Sequence, residues 1–157
     1  MTATLSAPIP SDYEALVAWV PTADACARWA GPQLRYPFTA TELPELLEVP
    51  GKSFSLVEGV NRPLAFGQYR TVSPDTVHLC RIIVSPDWRG HGYGKQLCEQ
   101  LIRQAVADAG ASMVTLRVYR DNAVAQSLYH KLGFKPVELR SDVDVIGMRL
   151  ILAERAG

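Results

Sequence analysis

The sequence predicts a mixed α/β fold, and three observations carry that expectation. Apolar segments in the second half alternate strand, helix, strand, helix, strand. Turn residues separate the periodic segments throughout, with no repeat and no low-complexity linker. The chain has 157 residues, so 1–157 fits one domain and leaves little room for two. A helix that crosses between two strands makes them parallel neighbours in one sheet.

The elements follow in order. Thr2 to Leu5 reads as a short first strand. Ser11 with Glu14 three residues on has capping-box spacing, which predicts a helix to about Trp19. A second helix is expected from Thr22 to Ala30, stopped by Gly31-Pro32. A third runs from Thr41 to Leu47 and tolerates Pro44 in its first turn. Ser53 to Glu58 and Leu64 to Val72 read as strands joined by a turn over residues 59–63. Thr76 to Val84 is rich in β-branched residues and suits a central strand. From Tyr93, the residues Leu97, Cys98, Leu101, Ile102, Ala105 and Val106 recur at helical spacing as far as Gly110. Met113 to Val118 is a further strand. Asp121 or Asn122 can cap a helix through Leu132 that Gly133 closes, and Val145 to Leu152 is the last strand.

Sixteen basic residues balance sixteen acidic ones, which argues against a general polyanion or nucleic-acid binder. Any anion site must therefore be local. Cys26, Cys80 and Cys98 are odd in number and widely spaced, as expected of reduced thiols in a cytoplasmic protein. No apolar run is long enough to span a bilayer, and Met1 to Pro10 lacks the pattern of a signal peptide, so no membrane partner is expected.

The densest chemical signal is Arg89-Gly90-His91-Gly92-Tyr93-Gly94-Lys95, between the exit of a strand and the start of a long amphipathic helix. Backbone N–H groups at a helix start are unpaired and point outward, and the helix dipole adds positive charge there. Glycines let the backbone curl around an oxyanion, and Arg89 can add a charge-assisted bond. The arrangement suits a pyrophosphate. It is neither a P-loop, since Gly90 lies too close to Gly94-Lys95 and Gln96 follows, nor G-x-G-x-x-G. Taken alone, the run also fits a tight turn with surplus glycines. Downstream, in Asn122 to Phe134, the residues Ala125, Leu128 and Leu132 share one helical face, with Tyr129 beside them.

Two segments resemble signatures of one family. Arg89, Gly92 and Gly94 fill the fixed positions of the acyl-CoA pyrophosphate loop of the GNAT superfamily of acetyl-CoA-dependent N-acetyltransferases. Asn122, Ala125, Leu128, Tyr129, Gly133 and Phe134 match its next signature, in the expected order. The resemblance covers roughly residues 53–152, the acyl-CoA-binding core. Residues 1–50 would be the variable, acceptor-side helices.

The resemblance implies a mostly antiparallel sheet of six to seven strands with a splayed parallel pair at its centre. It implies acetyl-CoA as cosubstrate, no resident metal, and direct transfer to a primary amine in a ternary complex. Residues 89–95 would hold the pyrophosphate, and backbone groups near Ile82, Ile83 and Val84 would line the pantetheine arm. Asn122 would bond that arm, although the same residue can simply cap its helix. Tyr129 would donate to the leaving sulfur. Some relatives carry a glutamate base on the fourth strand; the matching position is His78, which a plain strand role explains as well. Strand alternation would place His78, Cys80, Ile82 and Val84 on one face. Other relatives place a glutamate on the fifth strand, where Arg117 stands and cannot serve. Glu58 or an ordered water wire is a further candidate base. His78 and Cys80 would need a third ligand to hold a metal.

The aromatic stretch with Trp29, Tyr36 and Phe38 can line an amine pocket or pack a lid onto the sheet. Substrate choice would reside there and in the Leu139 to Asp144 connection. Glu42, Glu45, Glu48, Asp142 and Asp144 read as a solvated acidic face. A small-molecule amine is favoured over a protein as acceptor, and a homodimer is compatible with the sequence. The rival reading is a non-catalytic acyl-CoA sensor or regulatory module on the same fold.

Overall fold

The computed structural model describes residues 2–48 and 52–152. The ends of the 1–157 and 1–50 ranges, and the side chain of Leu139, lie outside the described part. The strands are β1 (Thr4–Ser6), β2 (Lys52–Glu58), β3 (Asn61–Ser73), β4 (Thr76–Val84), β5 (Met113–Tyr119), β6 (Lys135–Val137) and β7 (Val145–Ile151). The helices are α1 (Pro10–Trp19), α2 (Ala23–Ala30), α3 (Leu43–Glu48), α4 (Tyr93–Ala109) and α5 (Ala123–Lys131).

All seven strands form one sheet in the order β1-β2-β3-β4-β5-β7-β6. Among the described strands only β4 and β5 pair in parallel, because α4 carries the chain across between them. Helix α5 also crosses over, but it delivers the chain to β6, and β7 then returns between β5 and β6, antiparallel to both. The parallel neighbour expected from the second crossover is therefore absent.

The β4–β5 pairing is short. Thr76↔Met113, Val77↔Val114 and His78↔Thr115 are its only partners, while β4 stays paired to β3 as far as Val84 and β5 to β7 as far as Tyr119. Each strand is held on its outer side, so the two diverge beyond His78 and a wedge opens in the sheet.

Strand β4 also carries a bulge. The register with β3 shifts by one between Gln68↔Cys80 and Phe66↔Ile83, and Arg81 takes the left-handed conformation at φ 52°. One inserted residue inverts the alternation. Val77, Leu79, Ile82 and Val84 all belong to the core beside α4, and Ile83 packs into the opposite core. The expectation that His78, Cys80, Ile82 and Val84 share a face fails for this reason. Gly67 lies across from the bulge, where an added Cβ would stand 2.7 Å from Ile82 Cδ1 and 2.9 Å from Leu101 Cδ1.

Two cores flank the sheet. The first joins Leu97, Cys98 and Leu101 of α4 with Leu79, Val114, Leu116, Tyr129, Phe134 and Met148. Helix α4 buries one stripe, including Leu97, Leu101 and Ala105, while Val106 from the expected set is exposed. The second core gathers Leu16, Cys26, Phe38, Leu43 and Leu47 of the N-terminal segments around Phe66.

Cap residues explain most boundaries. Thr22 Oγ1 accepts from Ala25 N–H, and Asn122 Oδ1 accepts from Ala125 N–H at 3.1 Å. Helix α1 starts one residue before Ser11, with Pro10 at its first position. Asp12, not Glu14, reaches back to Ile9 N–H at 2.9 Å. Asp12 is fully buried and also accepts from Ser55 Oγ and from Arg62. Burial would raise its pKa, but the Arg62 guanidinium, the Ile9 N–H and the Ser55 hydroxyl together bring it below the ordinary value.

Candidate active site

At its far end β4 passes through Ser85 into a 3-10 turn, Pro86–Trp88, and then into the glycine run that opens α4. Gly90 and Gly92 sit at φ 80° and 81°, and an added Cβ at either would meet nothing within 4 Å. Among the described residues, no carbonyl or side chain accepts from the N–H groups of residues 90–95. The first protein-bonded amide of the helix is Gln96 N–H, which donates to Gly92 O at 3.2 Å. Six consecutive donors thus stand unbonded at the positive end of a 17-residue helix. Arg89 and Lys95 are exposed beside them. Gly94 serves packing: its added Cβ would contact Leu128 at 3.4 Å and Val84 at 3.5 Å, so the loop rests against β4 and α5.

His91 turns back onto its own loop. Its Nδ1 lies 3.0 Å from Arg89 O and 3.1 Å from Trp88 O, which makes Nδ1–H the donor, and its ring stacks on Tyr93. Tyr93 OH reaches Glu58 at 3.5 Å. Glu58 thus stands by the glycine loop and does not line the cleft described next.

A cleft of about 340 Å³ lies over the wedge, walled by α2, the Gly31–Gln33 loop, β4 and β5. His78, Cys80 and Arg81 of β4 line it, with Arg70 of β3, Arg117 of β5 and Trp29 of α2. Among the described residues the β5-facing edge of β4 has no strand partner beyond His78. In the same stretch Arg81 O accepts from Trp29 Nε1 at 2.9 Å. Ile82, Ile83 and Val84 continue β4 from this cleft toward the loop.

His78 Nδ1 is 2.8 Å from Thr115 Oγ1, at the last paired position before the strands part. Burial, then the charges of Arg70, Arg117 and Arg140, lower its pKa to about 4, so the ring is neutral at neutral pH. Burial also pushes the Cys80 thiol up, more strongly than Arg81 and Arg70 pull it down. A thiol held protonated is a poor nucleophile. Among the described residues, no three His, Cys, Asp or Glu side chains cluster as metal ligands.

Tyr129 is buried by its ring, which packs against Phe134 with centroids 5.9 Å apart. Among the described residues its hydroxyl has no hydrogen-bond partner, yet no buried side-chain polar atom is left unsatisfied. The ring is therefore core, and the oxygen is not fully sealed from solvent. Burial, with Cys98 nearby, raises its pKa well above the ordinary value. Asn122 caps α5 with Oδ1, which leaves its amide nitrogen available on an exposed side chain.

Of the three aromatic acceptor candidates, only Trp29 lines the cleft. Phe38 is buried in the second core, and Tyr36 packs against it and donates to Pro21 O at 2.7 Å. Arg70 and Arg81 were not singled out by sequence reasoning. The available signal was an arginine inside each of three adjacent central strands, at positions 70, 81 and 117, with Arg62 a second one at the start of β3.

The acetyltransferase (GNAT) family profile matches residues 22–134, which contain the glycine loop, the wedge and α5. The chain belongs to this family. Among curated relatives, a ribosomal protein bS18-alanine N-acetyltransferase of Haemophilus ducreyi is 35% identical over 68 residues, 43% of this chain and 46% of that protein. A peptidyl-lysine N-acetyltransferase of Salmonella typhimurium is 37% identical over 70 residues, 45% of this chain and 43% of its own. The chain spans about half the length of the curated relatives it matches. The fold is shared over nearly the whole chain. A spermidine N-acetyltransferase from Vibrio cholerae, solved with CoA and spermine, superposes at TM-score 0.78 with 16% identity, covering 99% of this chain and 98% of that one. The Escherichia coli ribosomal-protein-S18-alanine N-acetyltransferase gives 0.69 with 23% identity, covering 96% and 94%.

Proposed function

We propose that this protein is an acetyl-CoA-dependent N-acetyltransferase that acts on a primary amine, a small molecule in preference to a protein, by direct transfer within a ternary complex. The row of unbonded amides at residues 90–95 carries the reading. Such a row is suited to a diphosphate: its donors have no protein acceptor, the space beside Gly90 and Gly92 is open, and the helix dipole points at it. Arg89 and Lys95 would add charge from outside. The unpaired edge of β4 would take the amide-bearing arm of the coenzyme as an added strand, between the loop and the cleft. Asn122 would donate to that arm through its free nitrogen.

Acetyl-CoA supplies a thioester whose carbonyl carbon bonds to the amine nitrogen as the C–S bond breaks, giving an amide and the CoA thiol. The chain's part is to position both partners and to move protons. When His78 donates through Nδ1–H to Thr115, Nε2 holds the lone pair and can accept the proton released by the amine. Tyr129 stays protonated because its pKa is raised. Full transfer from so weak an acid to a thiolate is uphill. Hydrogen-bond donation to the sulfur as charge builds is the contribution its position supports. The protonated Cys80 favours direct transfer over an acyl-enzyme.

Relatives named for a protein alanine, a peptidyl lysine and spermidine support an amine acceptor without selecting one. A volume of about 340 Å³ suits a small acceptor. The low basicity of His78 favours the second reading, a sensor that binds acyl-CoA without turnover. Thiol release from acetyl-CoA across an amine panel separates the two. Release with at least one amine supports the transferase, whereas CoA binding without release supports the sensor.

A further inference from the structure

From the charge of the cleft we infer that its acceptor is an amine bearing an anionic group, a carboxylate or a phosphate, which docks on Arg70 and Arg81. This deepens the transferase reading above and rests on it for the word acceptor; the cleft's preference for anions stands on the following observations. Four arginines line the cleft, Arg28, Arg70, Arg81 and Arg117, and among the described residues no aspartate or glutamate does. Two of the four are already neutralised at the rim. Arg28 pairs with Asp121 at 2.6 Å and lies 4.5 Å over the Tyr119 ring, and Arg117 pairs with Asp142 at 2.9 Å.

The other two are not. Among the described residues, neither Arg70 nor Arg81 meets a carboxylate, and both are partly buried. Arg81 donates to the neutral Gln68 Oε1 at 2.9 Å. Gln68 is itself fully buried and tied to Leu47 O and Ser53 Oγ, so the guanidinium is fixed in place. A partly buried, oriented cation without a counter-charge carries a desolvation cost that an anionic ligand would offset. Its backbone, at φ 52°, is a strained position of the kind that clusters at ligand sites.

None of the acidic residues Glu42, Glu45, Glu48, Asp142 and Asp144 lines the cleft, and two of them are already paired. Glu42 pairs with Arg35, and Asp142 with Arg117. A polyamine would enter a cleft of its own sign, where like charges repel across a poorly solvated gap. An amino acid or an aminoalkyl phosphate instead brings the missing anion, and guanidinium forks match both groups. His78 gains from the same event. It feels Arg70, Arg117 and Arg140 with no carboxylate among the charges acting on it, and an anion beside Arg70 offsets part of that field. Docking would thus make the base stronger when an acceptor is present.

The test uses the full chain saturated with CoA and matched probes: amino acids against their α-amides, aminoethyl phosphate against ethanolamine, and spermidine. Calorimetry reads binding whether or not turnover occurs, and thiol release with acetyl-CoA reads transfer. Anionic members should bind at least tenfold tighter than their neutral partners. Arg70→Gln should reduce that ratio toward one and Arg70→Lys should restore part of it, with unchanged affinity for CoA. Comparison of the carboxylate and phosphate pairs identifies which anion is used. Equal or tighter binding of the amides or of spermidine overturns the inference, as does no binding of any anionic probe at millimolar concentration. Anion-selective binding without thiol release leaves the inference standing and removes the transferase reading.

Discussion

Replacing His78 with glutamine should change how the stability of the protein depends on pH. His78 titrates at about 4 in the folded chain, against 6.5 for an ordinary histidine, with burial the largest cause and Arg70, Arg117 and Arg140 next. Between those two values the unfolded chain binds a proton that the folded chain does not. Stability therefore rises with pH across this window, is lost as pH falls from 6.5 toward 4, and is independent of His78 above 6.5. At 1.36 kcal/mol for each pH unit, discounted for a partly solvated ring, the loss is about 1 kcal/mol near pH 5.5 and about 2 kcal/mol near pH 4.5. Glutamine keeps a polar partner for Thr115 and has no such titration. The carboxylates with lowered pKa values, such as Asp12 and Asp108, titrate alike in both proteins and cancel. Urea unfolding at neutral pH and at these two values measures the difference. The wild type should lose ground to His78→Gln by those amounts on acidification. A wild-type-to-variant gap that stays constant with pH would refute the reasoning.

Three further outcomes are expected. Gly92→Val should weaken CoA binding by at least tenfold in calorimetry while the far-ultraviolet spectrum stays native; the side chain enters open space beside the loop, and the left-handed φ of 81° adds about 1–2 kcal/mol of local strain. Tyr129→Phe should lower kcat about a hundredfold and leave CoA affinity within threefold, because the ring packs as before and only the donor is lost; equal kinetics would remove the donor role. Asp12→Ala should cost about 3 kcal/mol in urea unfolding, since it strips Arg62 and Ser55 of a fully buried partner at the start of α1, and a loss below 1 kcal/mol would show that water replaces the carboxylate.

Much of the molecule was readable from residue patterns. Strand β4 runs over the predicted Thr76–Val84, and α4 starts at Tyr93 and is capped by Gly110, because β-branched runs and glycine punctuation are local signals. Strand β6 was missed: it has three residues, one of them Pro136, and it lies at the sheet edge, so it leaves no alternation to read. The bulge at Arg81 was invisible because left-handed bulge positions normally announce themselves with glycine. That one residue misassigned Ile82 and Val84 to the face of His78. The start of α1 was misplaced because Asp12, not Glu14, satisfies the Ile9 amide. The glycine run was legible as a loop at a helix start because all of it lies within seven consecutive residues. The cleft was not, because Arg70, Arg81 and Arg117 meet only through sheet pairing, which no short stretch of chain encodes.

The central claim concerns the amides between Gly90 and Lys95, and amide NMR titrated with CoA, with pantetheine as control, observes them directly. Downfield shifts of those N–H signals with CoA and not with pantetheine are predicted, as each donor gains a phosphate oxygen. Unmoved signals in that stretch while CoA binds elsewhere on the protein would contradict the account.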